Sequence, residues 1–350
     1  MSGKRRPARG RLILCVCLAL GASVLVGGRG NVRAQTAPGQ AKPQPGVPPA
    51  EMTEARKVEA AADAAGRLAA AGEFIKKYPQ SSLRTQLAQL VAAKIAETSD
   101  PAQLLAQADN FRTIFNQPGE MDALNADVLH AYITANRLED AFKLATTAVD
   151  KMPDPVGAMI ELVNAGYTQM QQRNMQYVPQ AKDYAGRVIE LIETDKKPAV
   201  VDDATWAEYK TKQLPQLYRL HGLLLYASGD AATAKTRLQK AIALNPTDLF
   251  AYLVLGGLRN EEYRALATKY NAATGAQQTE LLKQAQSILD EVIDLYAHVA
   301  ALSEGNAQYQ QIHDQVIQDL QANYKYRHNG SLDGLQQLID KYKQPAPAKP

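Results

Sequence analysis

Apolar side chains recur every three or four residues along most of the chain, from about residue 51 to residue 343. The clearest example is LLKQAQSILDEVIDLYAHVA, where one stripe carries Leu281, Ala285, Ile288, Val292, Leu295 and Val299. That spacing places apolar side chains on one face of an amphipathic helix. The sequence contains no strand-length runs of alternating apolar and polar residues. The pattern therefore predicts an all-α protein.

Prolines and capping residues divide this pattern into about a dozen helices with short connections. The expected segments start near residues 51, 81, 101, 120, 139, 155, 178, 203, 231, 248, 277, 306 and 331. Asp202 and Asp203 are the predicted cap of the helix that carries Trp206, and Ser331 is the predicted N-cap of the last helix. The short connections are typical of helices that run antiparallel to their neighbours.

The start of the chain, up to Ala34, has a separate character. A basic start precedes the uncharged apolar run of residues 12–26, and small or medium residues follow at 32–34. This order is typical of a secretory signal peptide cut before Gln35. An uncleaved membrane anchor is the alternative, although the run is short against the ~20 residues that span a bilayer. We therefore expect an exported protein that is periplasmic or extracellular and associated with the cell envelope. It would contact the membrane only through the leader, if the leader is not cleaved.

Proline, alanine and glutamine dominate residues 35–50 and 344–350. Such composition is typical of flexible or extended linkers. The predicted organisation is a signal peptide at 1–34, a tether at 35–50, a helical domain at 51–343 and a tail at 344–350.

Charge and cysteine usage change once the leader is set apart. The chain has 39 basic and 36 acidic residues, but residues 1–34 hold seven basic and no acidic ones, so the remainder has 32 basic and 36 acidic residues. A formal charge of −4 on that remainder gives no indication of nucleic-acid binding. Cys15 and Cys17 both lie in the leader. The remainder therefore contains no cysteine for disulfides, nucleophilic catalysis or metal binding.

One pattern occurs twice in the second half of the chain. Tyr252 and Gly256 follow Tyr218 and Gly222 at one and the same interval. That interval matches the period of about 34 residues that is typical of stacked helical hairpins. Because the agreement holds at two positions in the same phase, we expect two successive hairpins of similar construction.

Small residues mark the places where the two helices of the first hairpin meet. Gly222 and Ala234 allow close approach, and Gly229 allows the chain to turn because glycine tolerates a positive φ. The seam and the end of the second helix are formed by Leu238, Ala241 and Pro246.

These residues resemble the tetratricopeptide repeat family, whose pattern places an aromatic residue, a glycine, an alanine and a proline at these intervals. The best match covers residues 215–248, a second covers 249–303, and a degenerate one covers 122–155. In the degenerate repeat the matching residues are Tyr132, Ala141, Ala148 and Pro153. The resemblance implies a right-handed superhelical α-solenoid of antiparallel helix pairs. Ala141 and Ala234 are not separated by a multiple of the repeat interval, so we expect degenerate and lengthened repeats.

Catalytic and cofactor motifs are missing from the sequence. The five histidines do not have the spacing of metal ligands, and there is no phosphate loop or nucleophile elbow. Asp290 and Asp294 share one helix face, but a solvated face accounts for them. We therefore predict no catalytic residue, no cofactor and no metal site.

The resemblance also implies where a partner would bind. In this family the first helix of each repeat lines a concave groove that holds an extended peptide or a partner helix. The corresponding residues here are Gln216, Arg219, Leu223 and Tyr226 in the best repeat, and His130 and Ile133 in the degenerate one. The predicted function is a non-enzymatic scaffold for protein–protein interaction, with partner and oligomeric state open. The alternatives are a ligand-binding or enzymatic protein on the same helices, and a structural envelope protein that associates with itself.

Overall fold

The computed structural model describes residues 46–343, so the predicted leader, most of the tether and the tail lie outside the described residues. Every regular element within 46–343 is helical, which confirms the all-α prediction. The described chain divides into two compact units. The N-terminal unit comprises residues 46–170 and 175–209, and the C-terminal unit comprises 171–174 and 210–343.

The N-terminal unit is a succession of helices in which each contacts its neighbours. They are α1 (Pro49–Ala60), α2 (Ala64–Lys77), α3 (Arg84–Ile95), α4 (Pro101–Ile114), α5 (Asn125–Thr134), α6 (Leu138–Ala148), α7 (Pro155–Gln171), α8 (Val178–Glu193) and α9 (Asp203–Glu208). Helix α1 contacts α2 and α3, and α2 contacts α3 and α4. Contacts between next-but-one helices are typical of stacked hairpins. The predicted cap at Asp202 is confirmed, since its Oδ1 accepts a hydrogen bond from the Thr205 N–H at 2.8 Å.

The sequence pattern did not predict one helix start in this unit. The expected single segment from residue 51 to residue 80 is two helices, because α2 begins at Ala64 with Asp63 as its N-cap. Arg67, in the first turn of α2, makes contacts to both neighbouring helices. Its guanidinium donates to the carbonyl oxygens of Ala61 at 3.1 Å and Leu90 at 3.2 Å. The side chain therefore links the end of α1 to α3.

A buried ion pair joins α3 to the turn that follows α4. The side chains of Arg84 and Glu120 are 7% and 5% exposed, and Arg84 Nη2 lies 3.0 Å from Glu120 Oε2. Arg84 also donates to the Ile114 carbonyl at 2.9 Å, and Glu120 accepts from the Gln117 N–H at 2.8 Å. Each charge thus has several hydrogen-bond partners, as burial of an ion pair requires.

The C-terminal unit has longer helices. They are α10 (Leu214–Ala227), α11 (Ala231–Leu244), α12 (Leu249–Ala272), α13 (Gly275–Ser303), α14 (Gln310–Arg327) and α15 (Leu335–Lys341). Helices α12 and α13 have 24 and 29 residues, against 14 each for α10 and α11. Helix α11 contacts both α10 and α12, and α10 contacts α12. The unit therefore repeats the pattern of contacts between next-but-one helices.

Glycines stand where helices of the C-terminal unit approach most closely. A Cβ at Gly222 would lie 2.9 Å from Leu238 Cγ and 3.2 Å from the carbonyl oxygen of Ala234. A Cβ at Gly256 would lie 2.5 Å from the ring of Tyr296 in α13. Both glycines thus lie on the first helix of a pair and face the second.

The N-terminal unit contains a third glycine of this kind, which the repeat pattern did not indicate. A Cβ at Gly166 in α7 would stand inside van der Waals contact with Ala181 Cβ in α8. Gly166 precedes Ala181 by 15 positions, whereas Gly222 precedes Ala234 by 12. The longer α7–α8 connection shifts the phase, which is why the repeat interval missed it.

The remaining repeat positions divide by burial. The buried ones are Tyr218, Ala234, Leu238, Ala241, Tyr252, Ala141 and Ala148. Tyr132 is half-buried, and Pro246 and Pro153 are exposed after the second helix of each pair. Gly229 has φ +88° and Asn136, at the same place in the degenerate repeat, has φ +56°. Both turns therefore use a left-handed residue.

The predicted cap at Ser331 is wrong. Helix α15 begins at Leu335, and its N-cap is Gly334, three residues after Ser331 and with φ +87°. Ser331 Oγ instead accepts a hydrogen bond from the Asp333 N–H at 2.9 Å and shapes the turn before the helix.

Candidate functional site

The four residues predicted to line a groove in the best repeat lie along one face of α10, which we call the front face. Gln216 is exposed, and Arg219, Leu223 and Tyr226 are half-buried. Their spacing of three or four residues places them in one row along the helix. Helix α10 therefore presents all four on the same side.

Arg219 connects α10 to α12. Its Nε lies 3.0 Å from Asp248 Oδ2, and its guanidinium stands over the Phe250 ring at 5.6 Å from the centroid. Asp248 also caps α12, accepting from the Ala251 N–H at 3.1 Å. The Arg219 side chain keeps 20% of its surface exposed. The guanidinium therefore lies beside a carboxylate and an aromatic ring, and part of the side chain faces solvent.

Tyr226 makes a second link between the same helices. Its hydroxyl donates to Glu261 Oε2 at 2.8 Å. Burial, followed by the hydrogen bond and the charge of Glu261, raises the pKa of Tyr226 to about 12. Leu223 packs against a cluster of buried residues that includes Leu225 and Val254. Three of the four front-face residues therefore contact neighbouring side chains, and Gln216 is the most exposed.

Two aromatic residues extend this surface beyond α10. The rings of Phe250 and Tyr309 meet edge to face, with centroids 5.8 Å apart and an interplanar angle of 89°. Both are half-buried. Arg219, Phe250 and Tyr309 form a continuous series from α10 across α12 to the turn before α14, which we call the Arg–aromatic row.

The repeat interval in the sequence indicates Phe250 but not Tyr309. Phe250 follows Gln216 by the repeat interval, so the repeat phase places it at the same front position on α12. Gly257 follows Leu223 by the same interval, and a Cβ there would have no atom within 4 Å. The surface is therefore open at Gly257, about two helical turns beyond Phe250. Tyr309 precedes α14 in an irregular turn, and no periodic signal marks it.

The predicted residues of the N-terminal unit lie on α5. His130 Nδ1 is 2.9 Å from Glu161 Oε2 on α7, and the two side chains are 40% and 35% exposed. Ile133 is half-buried one turn further along α5. The His130–Glu161 contact joins α5 to α7 in the N-terminal unit, as the Arg219–Asp248 contact joins α10 to α12 in the C-terminal unit.

A tyrosine and an aspartate lie near the start of α7. Tyr209 donates to Asp154 Oδ2 at 2.7 Å. Burial and the negative charge of Asp154 raise the pKa of Tyr209, and Glu161 adds to the same effect. Asp154 also accepts from the Gly157 N–H at 2.9 Å, so it acts as a helix cap. This combination supports the helix start and offers no activated nucleophile.

Two histidines and two aspartates of the C-terminal unit also have structural partners. His298 is stacked between the rings of Tyr252 and Tyr342, and His313 Nδ1 lies 2.9 Å from Ser303 Oγ. Of the two carboxylates on one face of α13, Asp290 pairs with Arg327 at 2.7 Å and Asp294 accepts from the Tyr342 hydroxyl. The two carboxylates therefore serve different contacts.

Within residues 46–343 no three histidine, aspartate, glutamate or cysteine side chains converge as a metal site requires. An open depression of about 250 Å³ in the N-terminal unit is lined by polar and alanine side chains, among them Asp63, Lys94 and Gln107. No helix of the described part is long and apolar enough to cross a membrane.

No protein-family model matches the chain, and no curated protein matches its sequence.

Proposed function

We propose that this chain is a non-enzymatic scaffold for protein–protein interaction, exported to the cell envelope, whose helix pairs form a tetratricopeptide-like solenoid. The partner is an extended peptide or a helix that lies along the front face of α10 and the equivalent face of α12, which carries Phe250. The Arg–aromatic row carries this proposal. Arginine and aromatic side chains contribute most of the energy in many protein interfaces.

The row suits binding because its side chains are fixed before a partner arrives. Arg219 Nε already lies 3.0 Å from Asp248 Oδ2, and the Tyr309 ring packs against Phe250 with centroids 5.8 Å apart. Fixed side chains lose little conformational entropy on binding. The open surface at Gly257, about two helical turns beyond Phe250, leaves room for a partner backbone there.

Site-directed photo-crosslinking in the native envelope tests the proposal. A photo-crosslinking residue at Gln216 samples the front face, and one at Lys240, exposed on α11, is the matched control. We expect a discrete protein adduct from position 216 and none from position 240. Truncating Arg219 or Phe250 to alanine should then reduce the adduct about tenfold or more, because an interface hot spot contributes about 2 kcal/mol or more.

Two results would contradict the proposal. Equal adducts from both positions would indicate non-specific contact. A small molecule that co-purifies with the protein, together with the absence of any protein adduct, would favour the ligand-binding alternative instead.

A further inference from the structure

Asn260 is a buried polar residue at the middle of α12. It is 9% exposed, and no group within residues 46–343 forms a hydrogen bond with its side-chain amide. Buried amides almost always have hydrogen-bond partners, because burial without one is unfavourable. The Asn260 side chain therefore has donors and an acceptor that the described fold does not use.

Asn260 lies on the side of α12 that faces α14. On α12, Phe250 contacts Tyr309 in the turn before α14, and Tyr263 contacts Tyr326 near the end of α14, with ring centroids 5.8 and 6.5 Å apart. At about 3.6 residues per turn, Asn260 lies between those two directions, about 80° round the helix from Phe250 and about 60° from Tyr263. The amide is therefore placed between the two helices.

The contact between α12 and α14 is apolar on one side of Asn260 and polar on the other. Leu253, about two turns before Asn260, belongs to a buried cluster that includes Val316 of α14. Arg264, about one turn after Asn260, is close enough to Asp319 of α14 for its charge to act on that carboxylate. We call Asn260, Arg264 and Asp319 the polar seam.

The two charged members of the polar seam lack close partners of opposite charge. Arg264 and Asp319 are half-buried, and neither forms an ion pair within the described part of the chain. Asp319 Oδ2 accepts a long hydrogen bond from Gln315 Nε2 at 3.4 Å. Burial raises the pKa of the Asp319 carboxyl, and the Gln315 hydrogen bond and the Arg264 charge oppose that rise. The polar seam thus offers donors from Asn260 and Arg264, and acceptors from Asn260 and Asp319.

An extended main chain has the chemistry that these groups can bind. Its N–H and C=O groups have no partners within the segment, whereas those of a helix bond to each other. The polar seam also continues the surface that carries Phe250, because Phe250, Gly257 and Arg264 follow one another at intervals of seven residues, about two turns each. From Phe250 to Arg264 the helix rises about 21 Å, which about six residues of an extended peptide span. A peptide that crosses the open surface at Gly257 therefore reaches the polar seam.

We propose that the polar seam binds the main chain of an extended peptide, so that the partner of this protein lies there as an extended segment and not as a helix. The Asn260 amide accepts from one peptide N–H and donates to a peptide C=O. Arg264 donates to a neighbouring C=O, and Asp319 accepts from a further N–H. This inference rests on the proposed function, which allows a peptide or a helix, and it chooses between them.

Unfolding of the free protein gives the first measurement. Asn260→Leu keeps a side chain of similar size and removes the amide, and Asn271→Leu is the matched control at an exposed position of the same helix. Because the Asn260 amide has no partner in the described fold, the urea midpoint of Asn260→Leu should equal or exceed that of the control. A lower midpoint would show that the amide is bonded within the fold, and it would overturn the proposal.

Peptide binding gives the second measurement. A phage-displayed library of random linear peptides is selected against the full chain. The selected peptides should bind Asn260→Leu at least tenfold more weakly, because hydrogen bonds to the peptide are lost, and should bind Asn271→Leu unchanged. Methylation of a single backbone nitrogen should weaken a selected peptide at least tenfold at a position where alanine is tolerated. Selection of no peptide, of peptides that bind Asn260→Leu equally well, or of peptides that become helical on binding by circular dichroism would overturn the proposal.

The outcomes keep the two proposals apart. A protein adduct from position 216 that is unaffected by Asn260→Leu would leave the scaffold proposal standing and overturn main-chain binding at the polar seam. Peptides that require Asn260, together with the absence of any protein adduct from position 216, would support the polar seam and contradict the scaffold proposal.

Discussion

Two adjacent glycines on α12 provide a controlled test of helix packing. A Cβ at Gly256 would lie 2.5 Å from Tyr296 Cε1 and 2.8 Å from Cδ1, whereas a Cβ at Gly257 would have no atom within 4 Å. Tyr296 is fully buried, so its ring has no free space to move into. The same substitution should therefore stabilise the protein at position 257 and not at position 256.

The magnitudes follow from two terms. Alanine is favoured over glycine within a helix by about 1 kcal/mol, and this gain is common to both positions. Overpacking a core costs about 1–3 kcal/mol, and only Gly256→Ala incurs that cost. We expect Gly257→Ala to raise the free energy of unfolding by about 1 kcal/mol. The free energy of unfolding of Gly256→Ala should be about 1–3 kcal/mol lower than that of Gly257→Ala.

Urea unfolding followed by circular dichroism measures the difference between the two variants. Repeating the pair in a Tyr296→Leu background should shrink the difference, because the smaller side chain removes the clash and coupled residues are not additive. If Gly256→Ala proves as stable as Gly257→Ala, α12 and α13 do not approach as closely as we describe and the reasoning fails.

Three further predictions concern charge, turn geometry and pH. Glu120→Gln leaves the buried Arg84 charge without its carboxylate and should lower the free energy of unfolding in urea by about 3–5 kcal/mol. The control Asp109→Asn breaks the exposed pair with Arg112, whose side chains are 67% and 50% exposed, and should lower it by less than about 1 kcal/mol. Equal losses would contradict the burial argument. Gly229→Ala places a side chain at φ +88° and should lower stability by about 1–2 kcal/mol, so an unchanged midpoint would argue against a left-handed turn there. The pKa of Tyr226 is raised to about 12, from about 10 in the unfolded chain. Its stabilisation is therefore complete below pH 10 and is lost as the pH rises from 10 through 12. The difference in free energy of unfolding from Tyr226→Phe should narrow between pH 10 and 12, and a constant difference would refute the shift.

The sequence was most informative where structure depends on near neighbours. The three-to-four residue spacing predicted helices throughout residues 51–343, and Asp202 caps the helix that it was expected to cap. It was least informative where two local signals compete. Asp63 starts a helix inside an unbroken apolar pattern, and Ser331 stands beside Gly334, whose positive φ decides the actual start of α15.

In the candidate site, too, the sequence indicated some residues and missed others. The repeat phase selected the front face of α10 and, in retrospect, Phe250 as the position equivalent to Gln216. It gave no indication of Tyr309, which lies in a turn, or of Gly166, where a longer connection breaks the phase.

The sequence by itself thus determined the helical class, the position of most helices and the face of α10 that its periodicity leaves least buried. Only the tertiary structure decided what that face contacts. Arg219 meets Asp248 and Tyr226 meets Glu261 across 29 and 35 positions of sequence. Helix formation depends on interactions within about one turn, so the sequence pattern reveals it. Contacts between separate helices depend on how far each rotates and how closely glycines let them approach, and those quantities are fixed only when the helices pack.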